Sequence, residues 1–207
     1  EMSDTNYIYI SRSIDGGMTF ASPVRVDNIA DSTSRFPTVT TDNTGNPVVA
    51  FMKFNSMMMD ARWVVAKSND YGNTFSADVK ASGWTGGTVC DCCPGSIINS
   101  GNTVALLYRS NLSNIRDSWT GISTNGGATF SDGWNVDQTN WMYMACPSNG
   151  PDGVIIGDSL YSVFMNGASG PNRVYWSASS ISGISAQPAQ LLTGPITNLY
   201  TQNYPRI

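Results

Sequence analysis

Apolar residues in this chain fall in short extended runs broken by Gly, Asn, Pro and Ser, a pattern that fits β-strands better than helices. The runs "NYIYIS", "RWVVAKS" and "DSWTGIS" are each followed by a turn, and extended stretches such as "ASPVRV" and "SADVKA" come next. The turns share one shape: "SIDGGMTF" (Ser13 to Phe20), "SNDYGNTF" (Ser68 to Phe75) and "STNGGATF" (Ser123 to Phe130). Their starts at Ser13, Ser68 and Ser123 are separated by a constant step of 55 residues, which signals a repeated supersecondary unit. Each copy therefore reads as a hairpin turn between two strands.

The residue types suit that job. Gly16, Gly17, Gly72, Gly126 and Gly127 can take the positive φ that a tight turn demands. Asp15, Asp70 and Asn125 can accept hydrogen bonds from backbone N–H groups of their own turn. Hydroxyls of Ser13, Thr19, Ser68, Thr74, Ser123 and Thr129 can tie the turn together, with Phe20, Phe75 and Phe130 tucked beneath it. Gly17, Gly72 and Gly127 fall at the same place in each copy.

These three segments resemble the Asp-box, or BNR, repeat S-x-D-x-G-x-T-F of sialidases and other secreted β-propellers. The resemblance covers nearly the whole chain and implies an all-β fold, a β-propeller of four-stranded antiparallel blades. It also implies that the turns lie at the periphery, between the third and fourth strands of each blade, as scaffold and not as catalytic groups.

Counted this way, the chain holds about three full blades, over residues 34–82, 90–138 and 146–193, within a single propeller portion spanning 1–207. Residues 1–28 read as a partial blade and 200–207 as the start of a further one. A sialidase-type ring usually has more blades, so the expected partners include the remainder of the same propeller or another chain that completes it. Unpaired strand edges at both ends would otherwise invite aggregation.

Composition narrows the function classes. Charged residues make up 13% of the chain and the net charge is −4, which disfavours a phosphate-tracking surface, so nucleic acid is not expected as a partner. No apolar run is long enough for a transmembrane segment. Histidine is absent, which removes Ser-His-Asp triads and imidazole metal sites. Chemistry must come from carboxylates, tyrosines, arginines or thiols.

In an antiparallel blade, successive loops fall alternately on two faces. The face opposite the repeated turns collects the unusual stretches: "SRFP", "MKFNSMMMDAR", "CDCCPG", "YRSNLSNIRD", "NWMYMACPSNGPD", "MNGASGPNR" and "YPR". Arg35, Arg62, Arg109, Arg116, Arg173 and Arg206 would ring it as candidate ligands for a carboxylate or acidic sugar. The plainer alternative is that they pair with Asp60, Asp117, Asp152 and backbone carbonyls to pin loops.

Cys90, Cys92, Cys93 and Cys146 precede adjacent blades on that face and can meet. One or two disulfides in an oxidising compartment are the plain reading, for instance Cys146 with one of the other three, and a Cys92–Cys93 bridge is a further option. The alternative is a copper or zinc site in which the four thiolates are joined by Met57, Met58, Met59, Met142 and Met144; otherwise no cofactor is expected. "CDCC" followed by "CPSNGP" also resembles an uncharacterised bacterial branch of Asp-box proteins, described as sialidase-like without a complete catalytic set.

The sialidase resemblance implies an arginine triad, an aspartate acid/base, and a tyrosine nucleophile activated by glutamate. Arg35 in "RFP" is similar to the arginine of the family's R-I-P motif, and Asp60 is the matching acid/base candidate. The sole glutamate is Glu1, in a terminal segment, so this segment by itself is expected to lack sialidase activity. The sequence leads to a secreted or cell-surface propeller that binds a glycan or protein partner through its Cys- and Arg-bearing face. The alternatives are an exo-glycosidase of sialidase type completed from outside this chain, and a copper-handling or redox protein.

Overall fold

The computed structural model describes residues 6–28, 33–192 and 201–207. Residues 1–5, 29–32 and 193–200 lie outside that set, so the chain's sole glutamate and parts of both expected end blades do too. Among the described residues there is no helix, and hence none long and apolar enough to cross a membrane.

Among the described residues, sixteen strands form one hairpin and three larger antiparallel sheets. The hairpin joins β1 (Tyr9–Ile10) to β2 (Val24–Arg25). The first full blade runs β3 (Thr33–Thr41), β4 (Pro47–Phe54), β5 (Arg62–Lys67) and β6 (Val79–Lys80), in that spatial order. The second contains β7 (Thr88–Val89), β8 (Ser96–Ser100), β9 (Thr103–Asn111), β10 (Ser118–Ser123) and β11 (Asp132–Asn135). The third contains β12 (Asp152–Ile156), β13 (Ser159–Asn166), β14 (Arg173–Ser180), β15 (Ser185–Ala186) and β16 (Gln190–Leu191).

The second-strand sequences explain how the blades stack. A strand alternates its side chains between two faces, so a strand sandwiched between neighbouring blades must be apolar on both. Along β4, Val48, Ala50, Met52 and Phe54 join a core with Ile97, Leu106 and Tyr108 of the next blade. The intervening Val49 and Phe51 pack on Ile8 and Val26 beside the hairpin. In β9, Leu106 and Tyr108 face the first blade, while Ala105 and Leu107 face Leu160 and Phe164 of the third. Each large apolar side chain of this kind contributes about 1.5–3 kcal/mol of transfer free energy when buried. The first strands β3, β8 and β12 lie side by side, β8 between the other two, which sets them at the inner edge. This is a β-propeller arrangement of radiating antiparallel blades.

The repeated turns have one hydrogen-bond pattern. In the second copy, Ser68 Oγ donates to Asp70 Oδ1 at 2.8 Å and accepts from Gly72 N at 2.7 Å, while Thr74 N donates to Asp70 Oδ1 at 2.8 Å. The first copy repeats these contacts through Ser13, Asp15, Gly17 and Thr19. Asn125 takes the aspartate's place in the third, accepting from Thr129 N and donating through Nδ2 to Thr129 Oγ1. The matching glycines Gly17, Gly72 and Gly127 have φ of 88°, 88° and 87°, where a side chain would be strained. Hydrogen bonds from Thr19 and Thr74 hold Asp15 and Asp70 below the usual carboxylate range, Asp70 at about 2.

One expectation needs correction. Phe75 and Phe130 pack against the interblade cores, but Phe20 is 65% exposed. Phe20 borders a shallow surface hollow with Arg12, Ile14 and Thr19 and does not join the cores that take up Phe75 and Phe130. Blades two and three keep four strand positions, with β7 and β8 sharing the first beside β9, and β15 and β16 sharing the fourth beside β14.

Candidate functional site

The opposite face begins with the β4–β5 loop. Asn55 Oδ1 accepts hydrogen bonds from Met57 N at 3.0 Å and Met59 N at 2.9 Å, an Asx turn that holds Met58 and Asp60 at φ of 58° and 55°. Met57 and Met59 are exposed as a result, and Asp60 Oδ2 sits 2.8 Å from Arg62 Nη1. This loop faces the start of the second blade across a cleft of about 240 Å³ bordered by Met58, Met59, Asp60, Asp91 and Asn111.

Strand β7 places the cysteines. The ladder it forms with β9 continues as Cys90 N donates to Arg109 O at 2.8 Å, after which the chain turns through Cys92 and Cys93. The following loop of the third blade docks on this turn so closely that a Cβ on Gly150 would lie 2.0 Å from Pro94 O. Cys146 therefore meets Cys92 in a disulfide, and Cys90 pairs with Cys93. The open choice among pairings resolves to these two, without a Cys92–Cys93 bridge. Ser148 N donates to Cys146 Sγ at 3.3 Å.

The six arginines have different fates. Arg109 is fully enclosed, and its guanidinium donates to Asn149 O at 2.9 Å, to Met165 O at 2.8 Å and to Arg116 O. It binds the β9–β10, 140–151 and β13 regions together instead of facing solvent. Burial lowers it to about 10, with Asp137 and Asp117 opposing that shift. Arg173 is 8% exposed and donates to Asn172 O, while Arg206 is exposed and donates to Pro205 O. Arg35 is exposed beside a bulge in β3, its guanidinium 5.9 Å from the Phe54 ring centroid.

Arg116 has the most suggestive setting. Its Nε donates to Tyr143 O at 3.1 Å, its backbone N donates to Trp141 O at 2.7 Å, and the charge of Asp91 favours its cationic form against burial. Its Nη1 is buried with no hydrogen-bond partner among the described residues. Beside it, the Tyr143 ring stacks on buried Trp141 at 5.1 Å and 16°, leaving Tyr143 40% exposed. Arg116 thus feels the charge of Asp91, which borders the cleft, and is tied through Nε to the backbone of Tyr143.

Beneath these loops lies a polar cluster of which sequence inspection singled out Asp117 alone, as a partner for an arginine. Asp137 accepts from Thr139 Oγ1 at 2.7 Å and from Asn166 Nδ2 at 2.8 Å, and Asp117 accepts from Trp141 N at 2.9 Å and Asn135 Nδ2 at 2.7 Å. Burial, and then the charge of Asp117, push Asp137 up to about 6. A second hollow, of about 280 Å³, lies between the hairpin and the second repeated turn, lined by Ile10, Val24, Pro47 and Tyr71. Arg12 also lines it and donates to Tyr71 O, but no carboxylate or thiol does, and it is a seam between sheets, so the cysteine-bearing face is the better candidate.

No protein-family model matches the chain. No curated protein matches it either. Among solved structures, the chain is similar to an α-L-arabinanase of Penicillium chrysogenum complexed with arabinobiose, at 14% identity and a TM-score of 0.63 over 93% of this chain and 60% of that one. It is similar to the α-L-arabinofuranosidase Arb93A of Fusarium graminearum in complex with an iminosugar inhibitor, at 12% identity and 0.57, covering 94% and 61%. The NanB sialidase of Streptococcus pneumoniae matches at 11% identity and 0.55, covering 91% and 29%. The chain therefore spans less than two thirds of each of these proteins, and at such identities the likeness establishes the fold.

Proposed function

We propose that this chain belongs to an extracytoplasmic, Asp-box β-propeller of sialidase-like type that binds a glycan through its cysteine- and arginine-bearing face, with a protein partner as the alternative ligand class. The observation that carries the reading is Arg116: a buried guanidinium nitrogen without an acceptor among the described residues, within the charge influence of Asp91 and bonded through Nε to the backbone of Tyr143, whose ring stacks on Trp141. Sugars present apolar C–H faces that suit an aromatic ring and oxygen atoms that suit guanidinium donors. The glycan-active names of the structurally similar proteins agree with that class. Two disulfides support a secreted or cell-surface setting.

The test is binding of acidic and neutral oligosaccharides to the intact protein, followed by calorimetry. Tyr143→Ala should weaken binding by roughly fivefold or more, since the platform contributes about 1 kcal/mol beyond simple burial. Absence of binding to any acidic or neutral glycan would leave the protein-partner reading.

An exo-glycosidase of sialidase type, its remaining catalytic residues supplied from outside this chain, is the second reading, favoured by the acid/base candidate Asp60 bordering the cleft. Turnover of a fluorogenic sialoside by the intact protein, abolished by Asp60→Asn, would establish it.

A further inference from the structure

We propose that the four-cysteine cluster is a redox-gated site for one soft d10 cation, copper(I) or zinc(II), closed while the two disulfides stand and opened by a dithiol reductant. Two disulfides require two bonded sulfur pairs and nothing more. Here all four Sγ atoms lie within 4.8 Å of one another, and Cys90 Sγ is 3.6 Å from Cys92 Sγ although the two are not bonded. A tetrahedral ion with metal–sulfur bonds near about 2.3 Å sets its sulfurs roughly 3.8 Å apart, so once reduced each formerly bonded pair opens from about 2 Å while the widest non-bonded separation closes by about 1 Å to complete the shell. The residues come from two adjacent blades locked by the Gly150–Pro94 contact, which preorganises the group independently of the bonds. Thioethers of Met58 and Met59 line the neighbouring cleft, giving soft donors along the approach.

Exposure fixes the order of opening. Cys146 is exposed and Cys92 half-buried, whereas Cys90 and Cys93 are buried. A dithiol thiolate attacks Cys146 Sγ, the Cys92–Cys146 bond breaks, and its electron pair leaves on Cys92. The reductant's second thiolate attacks the mixed disulfide, closing the cyclic disulfide and releasing Cys146 as thiolate. Hydrogen bonding from Ser148 N favours that charge. Cys92 thiolate then attacks Cys90 Sγ, 3.6 Å away, forming a Cys90–Cys92 bond and expelling Cys93 thiolate. A second dithiol reduces the Cys90–Cys92 bond. Two dithiols are oxidised, four electrons enter, and four thiolates remain. The cation binds them without changing its oxidation state, and protons carried by the thiols pass to water.

The intact protein is reduced anaerobically with excess dithiol, freed of reductant, and titrated with zinc(II) or with chelator-buffered copper(I). Native mass spectrometry and thiol alkylation read the result. One ion per reduced chain, protection of all four thiols, and no ion on the oxidised chain are expected. Cys146→Ser should weaken retention at least tenfold, and cobalt(II) should give the absorption of a tetrahedral thiolate site. If reduction or the substitution loosens the fold, restoration of the circular dichroism spectrum by the metal supports the site. A reduced chain that keeps no ion and is not restored by one overturns the proposal, as does unchanged affinity in Cys146→Ser. Competition between the two metals identifies the preferred ion.

Discussion

Replacing Asp137 by Asn should flatten a specific part of the pH–stability profile. In the folded chain the Asp137 carboxyl is raised from 3.8 to about 6, first by burial and then by the charge of Asp117. The folded state therefore holds a proton that the unfolded state has released, and stability falls as pH rises through this window. A rise of roughly 2 pH units, at about 1.36 kcal/mol for each, amounts to about 3 kcal/mol, of which about 2 kcal/mol falls between about pH 4.5 and 7.5. The side-chain amide introduced by Asp137→Asn keeps one oxygen for Thr139 Oγ1 and Asn166 Nδ2, gives up the long contact from Ser118 N, and does not titrate. Asp15 and Asp70 act in the opposite sense, because their lowered values remove stability as pH falls below about 4, outside the window. Urea unfolding of both proteins from about pH 4.5 to 7.5 reads the difference at constant m. Profiles that stay parallel across that range would refute the placement of a protonatable, buried Asp137.

Two further substitutions test the scaffold. Arg109→Met leaves the carbonyls of Asn149, Arg116 and Met165 without their donor, and should cost roughly 3–5 kcal/mol in chemical unfolding; a loss under about 1 kcal/mol would show that solvent replaces the guanidinium. Ser68→Ala removes the hydroxyl that accepts from Gly72 N and donates to Asp70, and should cost about 1–2 kcal/mol by thermal unfolding, with ligand binding unchanged because the turn lies on the other face.

The fold was legible because its determinants are local and repeat. Gly72 at φ 88° and the Ser68–Asp70 contacts lie within one octapeptide, so its sequence carries its geometry. The two-sided burial of β4 and β9 likewise shows as uninterrupted apolar runs within "PVVAFMKF" and "TVALLYRSN". Proximity of Cys146 to the "CDCC" turn followed from blade order, but the pairing did not, because it depends on how the Gly150 loop seats against Pro94. Arg109 and Arg116 look alike in sequence. They separate in space, since one meets three carbonyls and the other keeps a buried nitrogen unpaired. Asp137 sits in "NVDQTN", which reads as a polar surface loop. Its enclosure arises from β13, which approaches from the next blade and brings Asn166. The short strand β7 was hidden for a related reason, as two residues leave no periodicity to detect.

The Cys92–Cys146 bond has a mechanical corollary. It staples two wedges of the disc across 54 positions of chain. Tension applied at the termini would bypass that segment, hiding roughly 180 Å of contour length at about 3.4 Å per residue. Rupture under load should therefore begin at the seam between β3 and β8, and the stapled pair should yield its stored length after a reducing agent cuts the tether.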